Sequence, residues 1–265
     1  MDEEQKMEIL EKREYKIVKA NEIVQKARND LSLSELKIMA YIFSKIKPTD
    51  TELQEYTFSI REYLQVVGKH DSGENYNDVK RDLKSLRDKS FWLIKEDNTE
   101  ELVGWLAKVI IKRNSGIVKI RLDESIQQYV IGLFNNYVQY SLLSILPMSS
   151  SYSIKLFEIL KSYSKLEKHT FEIEKIKNLL GCNHYKNFKD FRIKVLEKAT
   201  EEINLYTDIE IMWDTRLKGK KVTHVTFYIK ERDTWGRIIA QAKANEQIEG
   251  QMTIDEYIGT GEEKK

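Results

Sequence analysis

Two stretches of the chain align without gaps, 113 positions apart: Thr57-Phe58-Ser59-Ile60-Arg61-Glu62-Tyr63-Leu64-Gln65-Val66-Val67-Gly68 and Thr170-Phe171-Glu172-Ile173-Glu174-Lys175-Ile176-Lys177-Asn178-Leu179-Leu180-Gly181. Each stretch begins with alternating apolar residues, which are typical of a short strand, and continues as a short helix. Each helix ends at a glycine, the residue that most readily takes the left-handed conformation after a helix. The alignment therefore predicts two copies of one strand–helix unit.

The segments around the two copies follow the same order, which matters because the copies share only four identical residues. Apolar residues at helical spacing predict a helix before each copy and after each glycine: Leu31–Ile46, Tyr76–Leu86, Ser149–Leu166 and Phe188–Ile203. Two β-rich runs about a glycine-containing turn then close each unit as a hairpin: Leu102–Lys112 with Ile117–Leu122, and Ile209–Trp213 with Val222–Ile229. This order is that of a winged helix-turn-helix. The predicted fold class is α+β, with two tandem winged-helix domains related by a weak internal repeat.

The predicted fold divides the chain into four parts. Residues 1–14 form a charged N-terminal arm, expected as a solvated helix or a flexible segment. Residues 15–137 form the first winged-helix domain, and residues 138–232 form the second. Residues 233–265 form a C-terminal tail without a counterpart in the repeat, with a short helix over 238–247 and disorder from Gly259 onwards.

Positive charge is concentrated in the second predicted domain. The whole chain has a net charge of +1, but residues 136–232 contain 17 Lys and Arg against 12 Asp and Glu, a net charge of +5. Residues 1–135 contain 23 against 24, and residues 233–265 contain 4 against 7, so the acidic tail offsets the basic segment in the total. A local basic surface is the electrostatic signature of a polyanion partner such as DNA.

Other features argue against several classes of protein. The single cysteine, Cys182, cannot form an intrachain disulfide, so a reducing cytoplasm is expected. No apolar run approaches the roughly 20 residues of a membrane span. The sequence has no G-x-x-x-x-G-K-[ST] phosphate loop and no His-x-His pair, and no second ligand pair completes a zinc site with Cys182 and His184. We therefore expect no enzymatic activity, no cofactor, no metal and no membrane contact.

Four blocks of the sequence carry a family resemblance. They are Asn21-Glu22-Ile23-Val24 with Leu31-Ser32-Leu33-Ser34-Glu35; Ser153-Ile154-Lys155-Leu156-Phe157-Glu158-Ile159-Leu160; Phe188-Lys189-Asp190-Phe191-Arg192-Ile193-Lys194-Val195-Leu196; and Glu202-Ile203-Asn204. In this order they resemble the initiator (Rep) proteins of iteron-type plasmids, the Rep_3 or RepB superfamily, over about Tyr15 to Arg232. The resemblance implies two winged-helix domains that bind double-stranded DNA at repeated origin sites, called iterons, and initiate plasmid replication. It also implies recruitment of host replication proteins, and a homodimer through the first domain that is in equilibrium with monomer and can repress its own gene.

The second domain supplies most of the candidate DNA contacts. A recognition helix places its N-terminal part in the major groove. With Phe188 and Phe191 on the core face and 100° per residue, the outward and flanking residues are Lys186, Asn187, Lys189, Asp190, Ile193 and Lys194.

These side chains have different chemistry towards DNA. The lysines can meet phosphates or guanine edges, Asn187 can read adenine, and Asp190 can accept from cytosine or pair with a neighbouring lysine. Ile193, where the family often has a basic residue, can contact a thymine methyl group. Arg192 lies nearer the core face on this wheel and is expected to reach a phosphate from the flank.

The hairpins supply further candidates. The second hairpin has a basic turn, expected over Leu217–Lys221, with four cations to lie along phosphates: Arg216, Lys218, Lys220 and Lys221. In the first domain, Val79 defines the core face of its helix. The outward residues are then Asn77, Arg81 and Lys84, with Lys112 and Arg113 at the hairpin.

The role of the first domain stays open between DNA contact and dimerisation. Its hairpin strands are rich in Val, Ile and Leu, and an outer strand can pair with the same strand of another copy. If the first domain dimerises and the second binds DNA, a fragment of residues 1–137 should dimerise. A fragment of residues 138–232 stays monomeric and binds DNA.

Two other functions fit the same sequence. A winged-helix transcriptional regulator without a replication role would share the DNA chemistry, and an origin-dependent maintenance assay separates it from an initiator. A module whose winged helices bind only protein would fail to bind any member of a genomic DNA library. Direct repeats of about 20 base pairs beside the coding gene would favour the initiator, because two adjacent domains span about two turns of B-DNA.

Overall fold

The computed structural model describes residues 3–95, 97–112 and 114–262. The first unit contains α1 (Glu3–Arg13), β1 (Lys16–Ala20), α2 (Asn21–Lys26), α3 (Leu33–Phe43), β2 (Glu55–Ser59), α4 (Ile60–Val66), α5 (Gly73–Asp88), β3 (Ser90–Ile94), β4 (Glu100–Gly104), β5 (Leu106–Ile111), β6 (Ile117–Leu122) and β7 (Tyr137–Ser141). The second contains α6 (Ser151–Ser162), β8 (Lys168–Glu172), α7 (Ile173–Leu180), α8 (Phe188–Phe191), a π-helical segment (Arg192–Glu197), α9 (Lys198–Tyr206), β9 (Ile209–Lys218), β10 (Lys221–Glu231) and α10 (Thr234–Glu262).

The two copies of the repeat occupy equivalent places in two sheets of the same topology. The strand order is β2-β6-β5 in the first unit and β8-β10-β9 in the second, so each repeated strand pairs with the last strand of its hairpin. Phe58 lies opposite Val118 in the first sheet, and Phe171 lies opposite Val225 in the second. All four side chains are buried, so the equivalence of the two repeats includes the residue that faces each phenylalanine on the neighbouring strand.

The helix that precedes each repeated strand, α3 in the first unit and α6 in the second, contributes to the buried core. Helix α3 begins at a capping box, in which Ser32 and Glu35 each accept a hydrogen bond from the other's backbone N–H. Helix α6 is buried without interruption from Ser153 to Leu160. A helix that is buried all round lies between layers, and α6 packs between α2 and α3 of the first unit and α9 of the second.

Buried charges join α6 to the first unit. Lys155 Nζ donates to the Asn29 carbonyl at 2.8 Å, and Lys19 Nζ lies 2.5 Å from Glu158 Oε1. The Tyr140 hydroxyl donates to the same Glu158 oxygen. Burial of Tyr140 and the negative charge of Glu158 raise the pKa of the Tyr140 hydroxyl. Because a buried charge that loses its partner costs several kcal/mol, this cluster fixes how the two units pack.

The boundary expected between residues 137 and 138 lies inside a strand pair. Strand β7 pairs antiparallel with β1, from Ala20 opposite Tyr137 to Lys16 opposite Ser141. Because β1 begins the first unit, a cut after Tyr137 removes the partner of β1. The boundary after residue 137 stays a prediction, and the pairing joins β7 to a strand more than a hundred positions away, which no local sequence pattern indicates.

The expected strand Leu102–Lys112 is two strands in the structure. Strand β4 pairs with β3 in a separate two-stranded hairpin, whereas β5 pairs with β6 in the main sheet. The chain changes sheet at Gly104 and Trp105. The Asp123 carboxylate lies 2.7 Å from the position that a Cβ of Gly104 would occupy, and the Trp105 ring centroid lies 4.5 Å from that of Phe91. Apolar residues continue through this bend, so the sequence reads as one strand.

The N-terminal segment is part of the folded body. The sequence predicts a solvated helix or a flexible arm, whereas α1 buries Ile9 and Arg13 and packs against α4. Over its described residues the segment is therefore a helix, one of the two expected alternatives, and it is solvated on one side only. Burial of one isoleucine and one arginine in an otherwise charged segment is too weak a pattern to detect in the sequence.

The C-terminal helix is longer than the predicted 238–247. Helix α10 spans Thr234–Glu262 and buries Ala240, Ala244 and Ile248. The disorder expected from Gly259 stays a prediction. Residues 263–265 lie outside the described residues. Gly68, at the end of α4, has a φ of 73°, and a Cβ there would collide with Ile248. Glycine at this position therefore serves both the left-handed turn and the close approach of α10.

Candidate nucleic-acid interface

The second helix-turn-helix is built from α7, a turn and α8. Gly181 has a φ of 71° and ends α7, and the Cys182 backbone N–H donates to the Lys177 carbonyl at 2.9 Å. Cys182 is fully buried, and burial raises the pKa of its thiol to about 11. This confirms the interpretation of Cys182 as a turn or core residue. Among the described residues, no group of three or more His, Cys, Asp or Glu is placed to hold a metal ion.

Lys177 positions the turn before the recognition helix, a role that the sequence reasoning missed. Its side chain is 3% exposed, and its Nζ donates to the Tyr185 carbonyl at 2.9 Å. The same Nζ lies 5.5 Å from the ring centroid of Phe191. One feature of the sequence could have indicated this burial. Lys177 follows Ile173 by four positions and precedes Leu180 by three, which places it on the apolar face of the helix.

Asn187 and Asp190 form a cap at the start of the recognition helix. The Asn187 side-chain oxygen accepts from the Asp190 backbone N–H at 2.8 Å, and Asn187 Nδ2 donates to the Asp190 carboxylate at 2.7 Å. Asp190 thus pairs with Asn187 and not with Lys186 or Lys194. Each side chain must leave this arrangement to read a base, and loss of an N-cap costs about 1 kcal/mol.

The predicted lysines lie together on the outer side of this helix. Lys186, Lys189 and Lys194 are exposed, and Ile193 is 44% exposed between them. Lys194 Nζ lies 5.8 Å from the ring centroid of Tyr185, which holds one cation over the turn. The arrangement offers three cations and one apolar side chain to a groove of DNA.

Arg192 differs from the expectation of the helical wheel. Its side chain is 45% exposed and its Nε lies 3.4 Å from Glu197 Oε1, so it points outward and not towards the core. Arg192 begins a π-helical segment, whose i to i+5 hydrogen bonds bring residues five apart together. The wheel still places Val195 and Ala199 correctly on the core face, since both are fully buried.

The wing of the second unit is longer and tighter than predicted. Strands β9 and β10 continue to Lys218 and Lys221, which lie opposite each other, and the turn is only Gly219 and Lys220. Gly219 has a φ of 63°, the conformation that a two-residue hairpin turn requires. Arg216, Lys218, Lys220 and Lys221 are all exposed. Like charges directly opposite each other destabilise a hairpin, so the Lys218–Lys221 pair favours an anion at this tip.

The candidates of the first unit lie on α5 and at its hairpin. Asn77, Arg81, Lys84 and Lys112 are exposed, and Arg113 lies outside the described residues. Arg81 pairs with Asp78 at 2.8 Å and Lys84 with Asp88 at 3.1 Å. Exposed pairs of this kind contribute little stability, so both cations can turn to a phosphate at small cost.

A basic groove between α5 and β5 was missed by the sequence reasoning. It has a volume of about 480 Å³, and all four charged residues in its lining are cationic: Lys80, Lys84, Arg87 and Lys108. The signal is present on α5, where positions 80, 84 and 87 follow an i, i+4, i+7 spacing. Lys108 joins them from the edge strand of the sheet, a contact that depends on the fold.

The chain has two tandem winged helix-turn-helix units. Each has cations on the second helix of its helix-turn-helix, α5 or α8, and along its hairpin. These features define a class of winged-helix DNA-binding proteins. The chain belongs to the initiator replication protein family. Residues 16–161 match the family model described as "Initiator Replication protein, WH1", and residues 172–229 match "Initiator Rep protein, WH2". These matches confirm both the resemblance and the tandem winged-helix fold.

Solved structures with a similar course of the chain include domains 2 and 3 of RctB. One crystal structure has a TM-score of 0.48 and 13% identity, and covers 80% of this chain and 86% of that one. A selenomethionine derivative has a TM-score of 0.47 and 12% identity, and covers 77% and 83%. Because both TM-scores are below 0.5, the assignment of this chain to its family rests on the two family models. No helix among the described residues has the length and apolar character needed to span a bilayer.

Proposed function

We propose that the chain initiates plasmid replication by binding repeated double-stranded sites, the iterons of a plasmid origin, without a chemical step of its own. The observation that carries this proposal is the duplication itself. Each unit repeats the same sheet topology and presents cations on its second helix and on a neighbouring strand or wing. Two such units on one chain suit a site of about 20 base pairs, or two turns of DNA.

The second unit is the main reader in this proposal. Its segment has the larger positive charge, its three lysines surround the exposed Ile193, and its wing tip has a like-charged pair. Helix residues would contact base edges, whereas the wing would follow phosphates. The basic α5–β5 groove supports a second, mainly phosphate-directed contact by the first unit, because all four charged residues in its lining are cationic.

A dimer through the first unit is part of the proposal. Strand β5 lies at an edge of its sheet, as the dimer hypothesis requires. In the separate β3–β4 hairpin, Trp92 and Leu102 lie opposite each other and are 53% and 52% exposed. Adjacent exposed apolar side chains mark association surfaces more often than scattered ones. Such a dimer would repress the protein's own gene, while the monomer would bind iterons.

Host replication proteins complete the proposed function. The sequence has no phosphate loop for ATP hydrolysis, so strand opening beyond the origin and DNA synthesis require other proteins. The chain would mark the origin and bring that machinery to it.

The direct experiment has two parts. Binding of the full chain is titrated against a DNA fragment with the direct repeats of its own plasmid and against a fragment in which each repeat is scrambled. A family initiator should prefer the repeats by about 10³-fold or more. Plasmid maintenance that depends on the gene then separates initiation from transcriptional regulation, since a regulator would bind DNA without supporting maintenance.

A further inference from the structure

Tyr185 lies in the turn before the recognition helix and is held from two sides. Its backbone carbonyl accepts from Lys177 Nζ at 2.9 Å, and its backbone N–H donates to the Cys182 carbonyl at 3.1 Å. Its ring packs against that of Tyr152, in the first turn of α6, with the centroids 6.3 Å apart and the planes at 72°. Lys177 and Cys182 are both buried. The core of the second unit therefore fixes where the half-buried ring of Tyr185 stands.

The ring of Tyr185 holds Lys194, which follows it by nine positions. Long side chains on a helix point back towards its N-terminus, so Lys194 reaches over the turn that precedes the recognition helix. Its Nζ lies over the ring, 5.8 Å from the centroid. A cation at this distance over an aromatic face is attracted by the quadrupole of the ring. Because the ring carries no net charge, Lys194 is held without being neutralised by an anion.

Other polar side chains at the start of this helix are already bound to polar partners. Arg192 Nε lies 3.4 Å from Glu197 Oε1. Asn187 and Asp190 are joined to each other in the helix cap. Each of these side chains must leave its partner to reach DNA. Lys194 differs from them, because an ammonium group has three N–H donors and the ring occupies only one side of it. The other donors stay available for a phosphate or a guanine edge.

A cation that is held in advance binds with a smaller loss of entropy. A free lysine side chain has many rotamers and loses that freedom when an interface immobilises it. Over the ring of Tyr185, Lys194 has lost part of this freedom before DNA arrives. Removal of the ring should therefore weaken the contact that Lys194 makes and leave the other contacts of the interface in place.

We infer that Tyr185 is a positioning residue of the DNA interface, which directs Lys194 towards the DNA and does not itself contact a base or a phosphate. The inference rests on the proposed function, in which Lys194 contacts DNA. It makes the direction of a cation on the recognition helix depend on a ring in the preceding turn. That turn is tied in its own right to α6 through Tyr152 and to α7 through Lys177.

A double-mutant cycle on the full chain tests this dependence. Binding to repeat-containing DNA is measured for Tyr185→Leu, for Lys194→Ala and for the chain with both changes. Tyr185→Leu should weaken binding about two- to five-fold, the range expected for an exposed cation–π contact. In the Lys194→Ala chain the same change should have no further effect, because the cation that the ring holds is gone.

Two more variants separate positioning from direct contact and from loss of packing. Tyr185→Phe keeps the aromatic face and should bind like the wild-type chain. Tyr206→Leu is the matched control and should also bind like wild type. Tyr206 is half-buried too, but it lies at the far end of α9, where its hydroxyl is 3.5 Å from Gln247 Oε1. Binding to repeats with single base-pair changes adds a readout that a packing defect would not move, since Tyr185→Leu and Lys194→Ala should give the same pattern across these repeats.

Three results would overturn the inference, and the first two leave the proposed function intact. Equal losses from Tyr185→Leu in the wild-type and Lys194→Ala chains would show that the ring acts independently of the cation. A loss with Tyr185→Phe as large as with Tyr185→Leu would make the hydroxyl a contact of its own. Unchanged binding by Lys194→Ala would remove this cation from the interface, and with it both the inference and the place of Lys194 in the proposed function. Circular dichroism checks that each variant is folded, and Tyr185→Met takes the place of Tyr185→Leu in the cycle if the latter is not.

Discussion

Arg13 in α1 and Asn245 in α10 are 232 positions apart in the sequence and are joined by a hydrogen bond of 3.0 Å from Nη1 to Oδ1. Arg13 also donates from Nε to the Val66 carbonyl at 3.0 Å and from Nη2 to the Gln65 carbonyl at 3.4 Å. One buried side chain thus connects the first helix, the end of α4 and the C-terminal helix. It ties the two ends of the chain to the first helix-turn-helix.

Removal of this connection should destabilise the whole protein. Arg13→Ala leaves one buried and two partly buried acceptors without their donor and should lower the free energy of unfolding by about 3 kcal/mol, whereas Asn245→Ala should lower it by about 1 kcal/mol. Urea denaturation measures both. Lys6→Ala is the control, because its 3.9 Å contact with Glu249 is exposed and should be worth less than about 0.5 kcal/mol. An Arg13→Ala chain as stable as the control would show that the hydrogen bonds do not hold α10.

The recognition helix of the second unit should carry sequence specificity. Replacement of Lys186, Lys189 and Lys194 by Ala should abolish specific binding with the fold intact, at about 1–3 kcal/mol for each base that the variant can no longer read. Footprinting on repeat-containing DNA measures the effect. The matched control replaces three exposed lysines elsewhere in the same unit: Lys165, Lys168 and Lys175. An unchanged footprint for the first triple variant would exclude this helix as the reader.

Local patterns predicted a large part of this architecture. The repeat, both hairpins and the outward lysines follow from periodicity over a few residues, and the structure contains them. The basic groove was half predictable, since Lys80, Lys84 and Arg87 share one face of α5, whereas Lys108 reaches them only through the fold.

Three features could not be predicted, because they depend on contacts between distant residues or on a local change of helix type. Pairing of β1 with β7 and the Arg13–Asn245 contact join segments more than a hundred positions apart. The contact of Arg192 with Glu197, five positions on, lies in a π-helical segment, for which no pattern in the surrounding residues is diagnostic.

The wing should contribute affinity without specificity. Charge reversal of Lys218, Lys220 and Lys221 to Glu should weaken binding to repeat and random DNA by the same factor, because phosphate contacts carry no sequence information directly. The slope of log K against log salt should also become shallower for both DNAs. Titrations at several salt concentrations measure both quantities. A loss confined to the repeats would instead make the wing a base reader.

Stability should fall in acid partly through Glu202. This carboxylate on α9 accepts from the backbone N–H and the hydroxyl of Ser149, just before α6. Burial alone would raise the pKa of Glu202, but these hydrogen bonds and Lys198 outweigh it, and the pKa lies below the ordinary value of 4.5. Because the pKa is lowered on folding, the stabilisation is present above 4.5 and is lost as the pH falls through the folded value.

The Glu202→Gln variant isolates this contribution. The difference in unfolding free energy between the wild-type chain and Glu202→Gln should be largest at neutral pH and should shrink as the pH falls below 4.5. Urea denaturation across this range gives the difference at each pH. A difference that is constant with pH would mean that shape and hydrogen bonding, and not the charge of Glu202, stabilise the junction between α9 and α6.

The proposed dimer contact is argued from the exposed face of the separate β3–β4 hairpin. Trp92 and Leu102 lie opposite each other across this hairpin, each about half exposed, and no neighbouring element covers them among the described residues. Leu102→Glu places a charge in the proposed interface, where its desolvation opposes association. We expect sedimentation velocity to show a monomer at concentrations where the unchanged chain is a dimer, with DNA binding by the second unit retained. Met212→Glu, an equally drastic change on the second unit, should leave the dimer intact. A Leu102→Glu chain that still dimerises would move the contact to another surface, such as the free edge of β5.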